Sequence, residues 1–225
     1  FFFLSGIFFF HSLQRRGPLA LAINKIDTIL YPYILWSLLQ GLIEVWLSRF
    51  TTGEVSLTEV LSLWDPRAQF WFLYALFLVF LAALLIYRRH DRTFILGVLV
   101  LSALAYIFQA SIPSALHLDY IVKNFGFFAL GVWFNTIKER LVANAGYWAL
   151  AGVLGFLVGQ YTFHGPMGLD YSVKGLASLG LAMVSILALS CLCLWLARAP
   201  ATWVLSLGGA SMGIYLMHIL AGSGT

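Results

Sequence analysis

The chain has 225 residues, of which 61% are hydrophobic and 10% charged, with a mean hydropathy of +0.91. Soluble domains carry about 25% charged residues, so this is an integral membrane protein, and at about 20 residues per crossing little remains for a soluble catalytic domain. The formal net charge of +4 comes from 13 Lys and Arg scattered between apolar blocks without forming a basic stripe, which argues against nucleic acid as a partner.

Polar punctuation predicts eight apolar segments, at 1–13, 28–47, 70–87, 94–110, 121–136, 146–163, 175–197 and 203–222. The first opens on Phe1-Phe2-Phe3-Leu4 with no initiator Met and no basic leader, so it reads as the remainder of a helix and not as a signal peptide. After the second segment comes the longest extramembrane stretch, Ser48 to Gln69, where Ser56 and Glu59 have capping-box spacing. The run from Phe70 to Tyr87 is apolar on all sides, which excludes the alternation of a barrel strand. Gly155-x-x-x-Gly159 and Gly209-x-x-x-Gly213 suit close helix packing. Cys191 and Cys193 point in nearly opposite directions on one helix and read as packing residues. No repeat of 20 to 50 residues is present. The expected fold is an all-α polytopic transmembrane helical bundle, one domain over 1–225, with about eight helices and both ends truncated.

Lys and Arg set the orientation. Arg15, Arg16, Lys25, Arg88, Arg89, Arg92, Lys138, Arg140 and Arg198 fall in odd-numbered loops, while Arg49, Arg67, Lys123 and Lys174 fall in even ones. The positive-inside rule places the odd loops in the cytoplasm. The first segment then descends from outside, so a whole protein with a cytoplasmic N-terminus is expected to carry one more helix upstream.

Polar groups inside apolar spans are costly, about 2.5–3.5 kcal/mol or more each at the bilayer centre, and mark function. His11 falls near the cytoplasmic side, whereas Glu44, Gln69, Asn124 and His218 fall in the outer half on four different segments, where they are expected to line a cavity opening outward. The competing reading is that each bonds a neighbouring helix separately. Arg15, Arg16 and Lys25 crowd the first cytoplasmic loop and Arg88, Arg89 and Arg92 the third. They serve as topology signals or as a phosphate site, for which the guanidinium fork is suited. Gly209-Ala210-Ser211-Met212-Gly213 matches the hydrolase nucleophile elbow, but lies in a predicted transmembrane helix and not at a strand-turn-helix corner. His90, His117 and His164 lack zinc-ligand spacing, and no metal is expected.

Several runs resemble acyltransferase family 3, membrane enzymes that O-acetylate bacterial surface polysaccharides and related glycans. They are Phe2-Phe3-Leu4-Ser5-Gly6-Ile7-Phe8-Phe9 with the following Arg15-Arg16 loop, Tyr31-Pro32-Tyr33-Ile34-Leu35-Trp36, Gln69-Phe70-Trp71-Phe72-Leu73-Tyr74-Ala75-Leu76, Phe127-Phe128-Ala129-Leu130-Gly131, and Ser211-Met212-Gly213-Ile214-Tyr215-Leu216-Met217-His218. The flavour is that of fucose 4-O-acetylase-like members. The resemblance implies ten helices, with the main catalytic His on a first helix that this chain lacks and a tenth helix beyond its end. It implies a bacterial inner-membrane, multi-pass location and acetyl-CoA, or another acyl-CoA, as the donor substrate, with no bound cofactor. Donor binding then falls to Arg15, Arg16 and Lys25, although Asp27 stands where the family usually has further basic residues. Acceptor binding falls to Glu44, Gln69, Trp71, Tyr74 and Asn124, with His218 a second candidate for the catalytic base. The expected partners are acyl-CoA, a carbohydrate acceptor and the lipid bilayer, with a homo-oligomer open. The alternative is a non-enzymatic glycan or lipid transporter or assembly subunit using the same cavity.

Overall fold

The computed structural model describes residues 1–47, 56–111, 117–170, 172–198 and 202–222. Arg49, Glu54 and the closing Ser223 to Thr225 lie outside them, as does the side chain of His218. The described residues contain helices and no strand. In chain order the α-helices are α1 Phe2–Ile7, α2 Phe9–Arg16, α3 Pro18–Lys25, α4 Tyr31–Leu47, α5 Leu57–Leu61, α6 Trp71–Ile86, α7 Arg92–Ile107, α8 Asp119–Ala143, α9 Ala145–His164, α10 Leu176–Leu196 and α11 Thr202–Gly222.

Among the described residues, three helical stretches are long and apolar enough to cross a membrane: Pro18–Trp46, Ala68–Ile86 and Leu176–Leu196. A fourth is reached if α8 and α9, which bend by 114° at their junction, count as one span. Eight separate crossings are therefore not what the helices alone define. The first predicted segment is divided at Phe8 into α1 and α2, and α7 has only 16 residues.

Local chemistry explains the breaks. Between α2 and α3 the chain turns at Gly17, whose φ of 76° suits glycine, and Pro18 then opens α3 where its missing N–H is not needed. From Pro18 to Trp46 the helix is continuous but widens into a π turn at Ile26–Leu30. Pro32 cannot donate to the carbonyl four residues back, which disrupts the α ladder there. The Thr28 hydroxyl donates to the Asn24 carbonyl at 2.7 Å. Asp91 caps α7, accepting from the Phe94 amide at 2.8 Å, and Ser56 caps α5, accepting from the Glu59 amide at 3.3 Å as its spacing predicted.

The core gathers on α8. Phe128 is fully buried and meets Phe9 and Phe80 edge-on, while Phe125 stacks on Tyr87. Because lipid tails are as apolar as these rings, close packing and not removal from water holds such helices together. The tightest approach pairs Gly6 of α1 with the Phe128 and Val132 backbone, and Gly131 of α8 with that of Phe3 and Ile7. The Gly-x-x-x-Gly spacing did not single these glycines out, although both fall in the aromatic runs quoted above. Of the two glycine motifs that it did, Gly155 faces Val184 and Gly159 faces Leu181 in the α9–α10 hairpin, joined by Gly152 against Ala188. Gly209 and Gly213 approach nothing within 4 Å.

Candidate functional site

The polar side chains separate to two ends of the bundle. At one end Phe10 of α2 lies against Tyr87 and meets His90 at a tilt, 4.1 Å between ring centroids, which sets the helix that carries Arg15 and Arg16 against the segment that carries Arg88 and Arg89. Arg15 and Arg16 are exposed in the last turn of α2. Lys25 is half-buried and directs its ammonium over the Phe80 ring, 4.2 Å from the centroid, a cation–π contact. The three predicted donor-side residues thus share one end, with Lys25 deeper than the guanidinium pair.

At the other end the helix from Pro18 to Trp46 meets the segment that follows Ser56. Gln69 donates through Nε2 to Gln40 Oε1 at 3.0 Å, Gln40 donates to Glu44 Oε1 at 3.2 Å, and Arg67 donates to Glu44 Oε2 at 2.7 Å. Every donor points toward the one carboxylate, so the chain is polarised and each bond strengthens the next. At its far end Gln69 Oε1 is buried and has no hydrogen-bond partner among the described residues. Beside the network lies a cavity of about 80 Å³ lined by Tyr33, Ser37, Gln40, Glu44, Asp65 and Arg67 among others. The Ser37 hydroxyl is buried there beside the Tyr33 phenol.

Aromatic rings extend this end toward α8. Tyr33 lines the cavity and touches Tyr74 at 5.7 Å. Tyr74 meets Tyr120 at 6.4 Å, and Trp71 lies 6.1 Å from Tyr120. His117 stacks on Tyr120, 5.2 Å apart at 15°, and its Nε2 is 3.1 Å from Asp65 Oδ1. Asp119 pairs with Lys123 at 2.5 Å through Oδ2, while its Oδ1 is buried with no hydrogen-bond partner among the described residues. Two non-glycine residues among those described have positive φ, Ala68 at 46° and His117 at 54°. Such conformations cost about 1–3 kcal/mol and persist where surrounding structure enforces them. Ala68 stands between Arg67 and Gln69, both in the network, and His117 is the residue bonded to Asp65, so both strained positions belong to this end.

The sequence-predicted acceptor residues are divided by the fold. Glu44 and Gln69 join one network, and Trp71 and Tyr74 adjoin it through Tyr33 and Tyr120. Asn124 lies one turn beyond Tyr120, and its amide donates to the Tyr120 carbonyl at 2.8 Å, within its own helix. His218 lies near the end of α11. One turn before it, the Tyr215 hydroxyl donates to the Gln69 carbonyl and its ring meets Phe72, which ties α11 to the start of α6. Sequence reasoning missed Gln40, Arg67, Asp65, His117 and Tyr120 as site members. Gln40 carried a usable signal, an amide four residues from Glu44 on the same helix face. Arg67, Asp65 and His117 are brought in by loops whose paths no periodicity reveals.

The basic end carries Arg15, Arg16 and Lys25, and the other end carries the buried Gln69 Oε1 and Asp119 Oδ1. The sequence profile described as an acyltransferase domain, that of acyltransferase family 3, matches residues 1–224. Neither a curated protein nor a solved structure matches the chain. With apolar membrane-length helices and a match along nearly its whole length, the chain belongs to acyltransferase family 3 and is a membrane acyltransferase.

Proposed function

We propose that the protein is an O-acyltransferase that moves an acyl group, acetyl in the simplest case, from acyl-CoA at the basic end to a hydroxyl of a carbohydrate at the opposite end. The basic end faces the cytoplasm of a bacterial cell across its inner membrane. The observation that carries this reading is the polarised Gln69–Gln40–Glu44–Arg67 chain, which ends in a carbonyl oxygen without a partner among the described residues, just before the helix that carries Trp71 and Tyr74. A sugar hydroxyl can donate to Gln69 Oε1 and extend the chain, while Trp71, Tyr74 and Tyr120 offer rings to its apolar face.

Arg15 and Arg16 hold the phosphates of the donor, which are too polar to leave the water, and the thin pantetheine arm reaches inward. The acceptor hydroxyl oxygen attacks the thioester carbonyl carbon while an imidazole takes its proton. The carbon–sulfur bond then breaks, and the thiolate takes up a proton to leave as free coenzyme A. His218, one turn beyond Tyr215, serves as this base or orients the acceptor.

The test uses the intact protein in membrane vesicles with radiolabelled acetyl-CoA, scoring label moved to glycan. Arg15→Ala/Arg16→Ala should lose transfer together with donor binding, and His218→Ala should lose transfer with donor binding intact. A folded protein that neither binds acyl-CoA nor labels any glycan refutes the reading and brings a glycan or lipid transporter forward.

A further inference from the structure

Tyr87 stands where α6 ends and is 1% exposed, enclosed by Phe9, Phe10, Phe94 and Phe125. Its hydroxyl is buried and has no hydrogen-bond partner among the described residues. Burial pushes the phenol well above its ordinary pKa range, so the group stays an O–H donor. Buried hydroxyls are nearly always bonded, and one left unpaired calls for an explanation.

Its position supplies one. Arg88 and Arg89 follow it directly, and Phe10, which touches its ring, lies on the same helix as Arg15 and Arg16, about 8–9 Å along the axis from them. Phe9, also against Tyr87, touches Phe80, the ring beneath the Lys25 ammonium. The Arg15-Arg16 helix, the Tyr87 hydroxyl and the Lys25 ammonium are therefore linked through shared aromatic neighbours at this end. A phosphate would remain with the guanidinium forks, because a neutral phenol in an aromatic cage is a poor host for a full charge. A neutral acceptor such as a carbonyl oxygen suits it.

We propose that the Tyr87 hydroxyl hydrogen-bonds a carbonyl oxygen of the donor's acylated pantetheine arm as that arm passes inward from the basic end. This rests on reading that end as the acyl-CoA side. Tyr87 is thus a donor-binding residue that neither the motifs nor the exposed basic side chains reveal.

The test measures acetyl-CoA and coenzyme A binding to the purified intact protein, by calorimetry and by ligand-induced thermal shift, for wild type, Tyr87→Phe and Arg15→Ala/Arg16→Ala. Phe keeps the ring and removes only the oxygen, so without ligand the variant should melt at or above wild type. Its affinity for acetyl-CoA should fall about tenfold, the loss of one hydrogen bond. A loss with acetyl-CoA alone assigns the thioester carbonyl, and an equal loss with coenzyme A assigns an amide carbonyl of the pantetheine. Wild-type affinity in Tyr87→Phe, with binding lost in the Arg variant, overturns the proposal and leaves the donor side in place. Absence of acyl-CoA binding by wild type overturns both.

Discussion

Replacing Gly131 with Ala tests the packing on which both ends depend. A Cβ at Gly131 would lie 2.0 Å from the Phe3 carbonyl oxygen and 3.0 Å from the Ile7 nitrogen, whereas ordinary contact begins at 3.4 Å. The helices must therefore separate by about 1.4 Å, since both obstacles are backbone and no rotamer can yield. A gap of about 0.5–1 Å already forfeits a quarter to a half of a van der Waals contact, so the neighbouring rings lose most of theirs. We expect a cost near the upper end of the overpacking range, about 3 kcal/mol. For a chain of this size that lowers the melting temperature by about 6–12 °C. Thermal denaturation in detergent, followed by tryptophan fluorescence, measures it. Gly97→Ala, where a Cβ meets nothing within 4 Å, is the control and should not destabilise. The double variant Gly6→Ala/Gly131→Ala should lose less than the sum of the two, because either methyl alone parts the same pair of helices. A Gly131→Ala protein that melts like the Gly97→Ala control would refute the reasoning.

Ala68→Gly should relieve the positive φ and hold or raise stability by up to about 1 kcal/mol. Transfer should nonetheless fall as Arg67 and Gln69 lose their fixed directions, and a drop in melting temperature of several degrees would contradict this. Arg67→Met and Glu44→Gln should each raise the acceptor KM about tenfold with donor affinity unchanged. Stability should change by less than about 1 kcal/mol, since the pair is one-third exposed. Equal weakening of donor and acceptor in steady-state kinetics would remove the network from the acceptor side. At alkaline pH the unfolded chain ionises Tyr87 near about pH 10, while burial keeps the folded phenol protonated to higher pH. Its stabilising contribution is therefore complete below that value and lost as the pH rises further. Melting curves from about pH 9 to 11 should fall more steeply for wild type than for Tyr87→Phe, and parallel curves would show that Tyr87 does not contribute.

The helices were legible because apolar runs bounded by charge have one solution in a membrane, and the Ser56 cap because its chemistry is local. Predicted segments 146–163 and 175–197 return almost unchanged as α9 and α10. The break between 136 and 146 was legible from Lys138, Glu139 and Arg140, but the 114° angle of the bend after Ala143 was not, since it follows from what each arm packs against. The same division holds within the site. Glu44 and Gln69 announced themselves as polar groups in apolar spans, and the structure joins them through Gln40. Their partner Arg67 looked like an ordinary loop cation, and His117 like an unpartnered histidine. Only the path of the chain after Ser56 and the positive φ at Ala68 and His117 bring these side chains into reach. Tyr87 was hidden for another reason. As a tyrosine at the end of an apolar helix it resembles any interfacial aromatic, and only its enclosure by four phenylalanine rings shows that its hydroxyl does not meet water.

The wide turn at Ile26–Leu30 acts as a coupling between the two ends. An α-helix advances about 100° per residue, which would leave Lys25 and Tyr33 about 80° apart around the axis. The slower advance of a π turn takes up much of that angle, and both side chains then address α6, Lys25 at Phe80 and Tyr33 at Tyr74. One continuous rod can thus present a cation at its basic end and a phenol beside the polar cavity along a single seam. Removing or adding a residue within that turn would swing one end off the seam while leaving the other seated, so its length and its proline are constraints shared by two sites that never touch.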